Sequence, residues 1–268
     1  MDISLFLGII VGFFCVLCGF RLEGGSFKAL FLFSPALIVI GGTVGTIISS
    51  FSFKDIIQAF KSLFKSFKAK PLDNASVIIE KISELSEAYK RGGTRGLEEA
   101  INNAEFDGDE YLMLKAGIIL IQESRTTEEI QYILESDIRA FTLQRQIEIS
   151  VFEGAGGFSP TLGIIGTVMA LVVVLAAGFS NVEKLTESIA TAFIATLYGI
   201  ALANLAYLPM ANRLKTILKR QRIHKEMILD GVCMISKGEM PRNVQNKLAL
   251  YYQAFPDGRK KYKEGVEN

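Results

Sequence analysis

Two threonines, Thr167 and Thr196, are the side chains in this sequence best placed to do chemistry in apolar surroundings. Each sits well inside a long stretch without a charged residue. In an antiparallel pair of helices they reach similar depth, so their hydroxyls can wet one surface. A lone Thr in such a helix bonds back to its own backbone about as readily as it serves a pathway. Two at one depth, in stretches that each carry a proline, Pro160 and Pro209, point to a polar route. A cation crossing a bilayer needs compensation, commonly from a carboxylate, and these stretches contain no Asp, Glu, Lys, Arg or His. If ions move here, another chain supplies the acid.

Other reactive residues point nowhere. Cys15-Val-Leu-Cys18 mimics a redox or zinc motif, but it lies in an apolar stretch without a second ligand pair, and small packing residues are the better reading. Cys233 stands apart, so no disulfide framework is expected. His224 is the only histidine. That rules out a multi-His metal site and leaves a Ser-His triad without support. There is no phosphate-cradling glycine loop of the Walker type. No cofactor, no metal and no enzymatic activity are expected, and a net charge of +1 lacks the basic footprint of a nucleic-acid binder.

The elements that position the threonines follow from where charge is absent. The chain has 29 Lys and Arg and 28 Asp and Glu among 268 residues, yet Ile3 to Phe20, Ala29 to Phe53, Gly154 to Val182 and Ser188 to Asn212 contain none. A hydrocarbon core of about 30 Å takes about 20 apolar residues in a helix, so each stretch is predicted to span a membrane. The first has neither a basic start nor an Ala-x-Ala-like site before Arg21, and is read as a retained span. Gly8 and Gly12 in the first span, and Gly41 and Gly45 in the second, have the small-xxx-small spacing of close helix packing.

Lysines follow the second span (Lys54, Lys61, Lys65, Lys68, Lys70). Basic residues also follow the fourth (Arg213, Lys215, Lys219, Arg220, Arg222), whereas the third-to-fourth connection has only Lys184. The positive-inside bias then places the middle segment and both termini in the cytoplasm. Five segments are predicted: spans one and two over 1–53, an amphipathic interfacial helix over 54–70, a helical cytoplasmic domain over 71–153, spans three and four over 154–212, and a cytoplasmic tail over 213–268. In the interfacial helix Ile56, Ile57, Phe60, Leu63, Phe64 and Phe67 repeat at helical spacing opposite lysines, which suits a lipid headgroup region. Pro71 ends it. The cytoplasmic insertion reads as helices around Val77 to Leu85, Leu97 to Ile101 and Tyr111 to Ile121. A long fourth, Thr127 to Glu153, runs into span three, because no strong breaker intervenes before the Gly154 to Gly157 cluster.

The run Gly41-Gly-Thr-Val-Gly45, the segment Pro160-Thr-Leu-Gly-Ile-Ile-Gly-Thr-Val-Met-Ala-Leu171, and Ala195-Thr-Leu-Tyr-Gly199 with Pro209 resemble the MotA family of flagellar motor stator subunits. The resemblance covers nearly the whole chain. It implies an all-α integral membrane protein with a helical cytoplasmic domain inserted between spans two and three, localised to the bacterial inner membrane. It also implies a ring of five around two copies of a MotB-like single-span partner, whose Asp binds the ion, and contact with a FliG-like rotor protein. Residues matching the family's sites are Thr167, Ala195 and Thr196 in the ion pathway, Pro160 and Pro209 in conformational coupling, and Lys90 or Arg91, Glu98 and Asp137 toward the rotor. On their own, those charges would read as ordinary solvated helix residues. Sodium-driven members carry a second Thr where this chain has Ala195, so a proton-driven stator is expected. The alternatives are a sodium-driven stator, an ExbB or TolQ type energiser with one span before its cytoplasmic domain, and a non-conducting membrane scaffold.

Overall fold

The structure is a computed structural model, and it describes residues 4–68, 75–102, 111–177 and 182–251. The expected stop at Pro71, the side chains of Phe67, Lys68 and Lys184, Lys70, and the end of the tail lie outside the described residues. The described residues are overwhelmingly helical: α1 (Ser4–Leu22), α2 (Phe27–Leu30), α3 (Phe33–Ala36), α4 (Gly42–Ser50), α5 (Phe53–Lys68), α6 (Ala75–Ile101), α7 (Leu112–Gln122), α8 (Thr127–Ala177), α9 (Val182–Leu202), α10 (Leu208–Ser236) and α11 (Pro241–Ala249). Wide π turns fill Leu37–Gly41 and Ala203–Tyr207. Four helical stretches are long and apolar enough to cross a membrane: Ser4–Leu22, Phe33–Ser50, and parts of Thr127–Ala176 and Leu185–Ser236. The chain is an all-α integral membrane protein.

Local chemistry sets the helix starts. Thr126 and Glu129 form a reciprocal capping box ahead of α8: the Glu129 N–H donates to Thr126 Oγ1 at 3.2 Å, and the Thr126 N–H donates to Glu129 Oε2 at 3.0 Å. From there α8 runs unbroken for 51 residues; the lack of a breaker predicts that passage up to the Gly154 to Gly157 cluster, and the helix also continues through Pro160. Ser52 caps α5 by accepting from the Asp55 N–H at 3.2 Å. The second charge-free stretch departs from expectation. Its first residues form the short α2, the chain leaves the helix at Phe31 and is extended at Leu32, and the continuous span begins only at Phe33, with Pro35 in the first turn, where a missing N–H is tolerated.

Two compact units are present. One holds residues 1–69 and 145–216, the other 70–144 and 217–268. In the second unit, one apolar core draws on Ile78, Ile82 and Leu85, on Leu114 and Ile118, and on Ile130 and Leu134. Met227, Ile228, Val232 and Ile235 of α10 and Val244 and Leu248 of α11 complete it. Burial of each such side chain contributes about 2 kcal/mol. α6 breaks at Gly93 (φ 60°, ψ −144°), a backbone region open to glycine. The two helices expected there are joined at that point, and the second arm returns so closely that a Cβ at Gly96 would lie 2.3 Å from the Ala88 carbonyl oxygen.

Within the first unit α5 docks on α8. Phe60 and Phe152 meet edge to face with centroids 5.3 Å apart, and Arg145 donates to Ser62 Oγ at 2.6 Å and to Glu148 at 2.9 Å. The inward face of α5 is made of Ala59, Ser62, Leu63 and Ser66, whereas Phe53, Ile57, Phe60 and Phe64 form an exposed apolar stripe. The amphipathic reading fits that stripe, with one change. Leu63 belongs to the buried side, because the small residues around it let α5 approach its neighbour.

Candidate ion pathway between the third and fourth spans

The membrane half of α8 and α9 meet along small residues. Ser159, Gly163 and Gly166 on α8, and Ala192, Ala195 and Gly199 on α9, recur at helical spacing and form two matching stripes. A Cβ at Gly163 would lie 2.9 Å from the Ala195 carbonyl oxygen, and one at Gly199 would lie 2.6 Å from the Ser159 carbonyl oxygen. The backbones are therefore in direct contact, as small residues permit in membrane helices. Ser159, fully buried, crosses the seam and donates to the Gly199 carbonyl at 3.1 Å.

Thr167 and Thr196 sit at the same level on this seam, their hydroxyl oxygens 2.5 Å apart. Thr167 Oγ1 also lies 3.1 Å from the Gly163 carbonyl of its own helix and 3.0 Å from the Ala192 carbonyl of the facing helix. A hydroxyl has one proton and two lone pairs. Thr167 therefore donates to one carbonyl and accepts from Thr196, or donates to Thr196 and receives from elsewhere. Back-bonding and cross-helix bonding coexist at one oxygen. The pair offers polar oxygens to water or a hydrated ion, but it holds no negative charge.

The Ala195 side chain faces Gly166 on the neighbouring helix. It is 1% exposed and lines a second space of about 260 Å³ between spans two, three and four, whose polar lining is Ser34, Ser188 and Thr191. Gly166 lines the same space directly beside it; a Cβ there would lie 2.8 Å from the Ala195 methyl.

The prolines occupy different backbones. α8 stays helical through Pro160, although the ring can return no N–H to the Gly156 carbonyl. Pro209 follows the Ala203–Tyr207 π turn, where the Leu208 N–H reaches back five residues to the Ala203 carbonyl. A wider turn relieves the crowding that a proline imposes on the preceding turn. The two sites are linked by packing: Gly156, the residue deprived of its partner by Pro160, lies so close to Leu208 that a Cβ would be 2.6 Å from Leu208 Cδ2.

Sequence reasoning passed over Tyr198, except as part of a motif. Its hydroxyl donates to the Leu30 carbonyl and accepts the Leu32 N–H at 3.4 Å, satisfying backbone groups at the break between α2 and α3. Unpaired backbone groups in hydrocarbon cost several kcal/mol, so one phenol holds this irregular segment. The glycines expected to pack are also redistributed. A Cβ at Gly8 or Gly45 would meet nothing within 4 Å and one at Gly41 only Leu37 of its own segment. A Cβ at Gly12 would lie 3.2 Å from Leu205, and one at Gly42 would lie 2.9 Å from Leu162.

The charged candidates lie in the other unit. Lys90, Arg91 and Glu98 are exposed on α6, and the Gly93 break separates the first two from Glu98, so the eight-residue spacing is not a helical one. Arg91 pairs with Glu87. Asp137 accepts from Lys225 at 2.9 Å, and Lys225 lies 4.8 Å from the centre of the Phe141 ring. His224 beside it is buried, and neither ring nitrogen has a hydrogen-bond partner among the described residues. Burial, aided by the neighbouring Lys225 charge, pushes its pKa down to about 4.

Comparison with known proteins gives this geometry its context. Residues 106–227 match the model of the MotA/TolQ/ExbB proton channel family, and residues 6–93 match that of the motility protein A N-terminal region. Motility protein A of Bacillus subtilis is 31% identical over 257 residues, covering 95% of this chain and 92% of the relative. Chemotaxis protein PomA of Vibrio alginolyticus is 31% identical over 252 residues, covering 94% and 95%. Among solved structures, the flagellar MotAB stator complex from Bacillus subtilis aligns with a TM-score of 0.82 at 30% identity, covering 93% of this chain and 96% of that chain. The C. jejuni MotAB structure aligns with a TM-score of 0.83 at 25% identity, covering 94% and 96%. These relatives are motility and channel proteins rather than enzymes, and with four apolar helices the kinship makes this a multi-pass protein of the inner membrane. The chain belongs to the motility protein A family of flagellar stator subunits, within the MotA/TolQ/ExbB proton channel family.

Proposed function

We propose that this chain forms the ring of a proton-driven flagellar stator, five copies around a MotB-like partner, with both termini in the cytoplasm. The observation that carries the reading is the Thr167–Thr196 hydroxyl pair in charge-free stretches that contain no Asp, Glu, Lys, Arg or His. The pair supplies oxygens for water, and the partner's single span supplies the carboxylate that takes up the ion. The seam of small residues lets α8 and α9 shift as a unit. Pro160 and Pro209, linked through Gly156 and Leu208, carry that shift toward the cytoplasmic ends of their helices. In this reading Lys90 or Arg91, Glu98 and Asp137 present charge to a FliG-like rotor, which complementary surface charge steers and registers.

Proton use rests on Ala195. A sodium ion exchanges part of its water shell for fixed oxygens, and the space beside Ala195 lacks the hydroxyl a Thr would add. The test is swimming speed against external sodium at fixed pH and membrane potential, with a protonophore in a parallel run. Motility independent of sodium and abolished by the protonophore is expected. Motility that vanishes without sodium and survives the protonophore overturns proton use.

A further inference from the structure

We infer that the groove between the first span and the end of the fourth binds one phospholipid with an anionic headgroup, as a defined site rather than as bulk lipid. The groove has a volume of about 510 Å³ and is walled by α1 on one side and by the Ala203–Tyr207 turn and the start of α10 on the other. Its lining is graded. Gly8, Ile9 and Leu205 form the end within the charge-free stretches, and Ser4, Asn212, Arg213 and Thr216 form the end where those stretches stop.

That gradient matches one amphiphile lying along the helices, with its acyl chain against the apolar end and its phosphate at the guanidinium. Arg213 has five donors in a planar fork suited to phosphate oxygens, so it can hold a phosphate while keeping its own protein contacts. Pro209 lines the same groove, and the lipid would brace the wide turn that accommodates this proline. The site rests on the proposed reading only for its leaflet, the cytoplasmic one.

The test is lipid retention, measured without reference to motility, so its failure is separate from that of the stator reading. The complex with its partner is purified in mild detergent and analysed by native mass spectrometry after exposure to phosphatidylglycerol or phosphatidylcholine. The wild-type complex is expected to retain one phosphatidylglycerol per copy of this chain and no matching phosphatidylcholine. Arg213→Gln should lose that retention while assembling normally, and Arg213→Lys should restore part of it. Because a Cβ at Gly8 meets nothing within 4 Å, Gly8→Leu extends into the groove and should exclude lipid of either kind. If Gly8→Leu disturbs assembly, the Arg213 pair decides alone. Equal retention of both lipids, or retention unchanged in Arg213→Gln, overturns the site. So does a disulfide from Gly8→Cys to a neighbouring copy, which would show a second copy filling the groove.

Discussion

Ala195 and Gly166 face each other across the third and fourth spans so closely that a Cβ built on Gly166 would lie 2.8 Å from the Ala195 methyl. The size of residue 166 therefore decides what residue 195 can be. Ala195→Thr is accommodated on the side of the 260 Å³ space lined by Ser34, Ser188 and Thr191, and it adds a hydroxyl to three already there. The expected outcome is folded, membrane-inserted protein whose motility becomes sensitive to external sodium. Gly166→Ala forces two methyls together and should destabilise by about 1–3 kcal/mol. Thermal unfolding of the two purified variants distinguishes these effects.

The hydroxyl pair makes a sharper prediction. Thr196→Val keeps volume and removes the oxygen that meets Thr167, and should abolish motility while leaving insertion and assembly intact. Thr167→Ser retains the hydroxyl and should swim. A scaffold without an ion path would tolerate both changes, because each membrane hydrogen bond is worth about 1 kcal/mol. Swimming assays beside membrane fractionation read the difference.

Without its partner the chain should not conduct, since its spans contain no acidic or basic side chain. Proteoliposomes of this chain alone are expected to show proton and sodium leak at background. A selective flux above background would show that the carboxylate is not needed from elsewhere.

Charge reversal at Lys90 and Arg91 together, or at Glu98, should reduce torque and leave protein levels in the membrane unchanged. These residues are exposed, and exposed pairs such as Arg91 with Glu87 contribute about 0–1 kcal/mol to folding. Asp137 differs, because it holds Lys225. Asp137→Lys places like charges together, and Lys225→Asp in the same chain should recover stability by restoring opposite charges. Recovery of torque as well would show that the bridge matters rather than a rotor contact.

His224 predicts a pH dependence. Its folded pKa of about 4 lies below the ordinary histidine value, so between that pKa and about 6.5 the unfolded chain binds a proton that the folded chain does not. The stabilisation is fully present above pH 6.5 and is lost as pH falls toward 4. His224→Phe removes the titrating ring, and its melting temperature should fall less than that of the wild type between pH 7 and pH 5.

Much of this protein was legible in one dimension. The charge-free stretches identify membrane-crossing helices because hydrocarbon penalises every ionised group, whatever the packing. The unbroken passage from Thr127 into the third span follows from the absence of a breaker before Gly154, a local property. The shared level of Thr167 and Thr196 follows from counting residues along two antiparallel rods, and the missing carboxylate is a matter of composition. Spacing, however, gives a face on one helix and not the partner of that face. Gly8, Gly41 and Gly45 have good packing spacing yet meet no other helix within 4 Å, while Gly163 and Gly199 touch backbone, because the rotation of one helix about another depends on all their neighbours at once. For the same reason only the tertiary structure could set Tyr198 against the break at Leu30–Leu32 and bring Ala195 against Gly166. It alone could join α10 and α11 to the insertion in one apolar core, since those contacts connect residues more than a hundred positions apart.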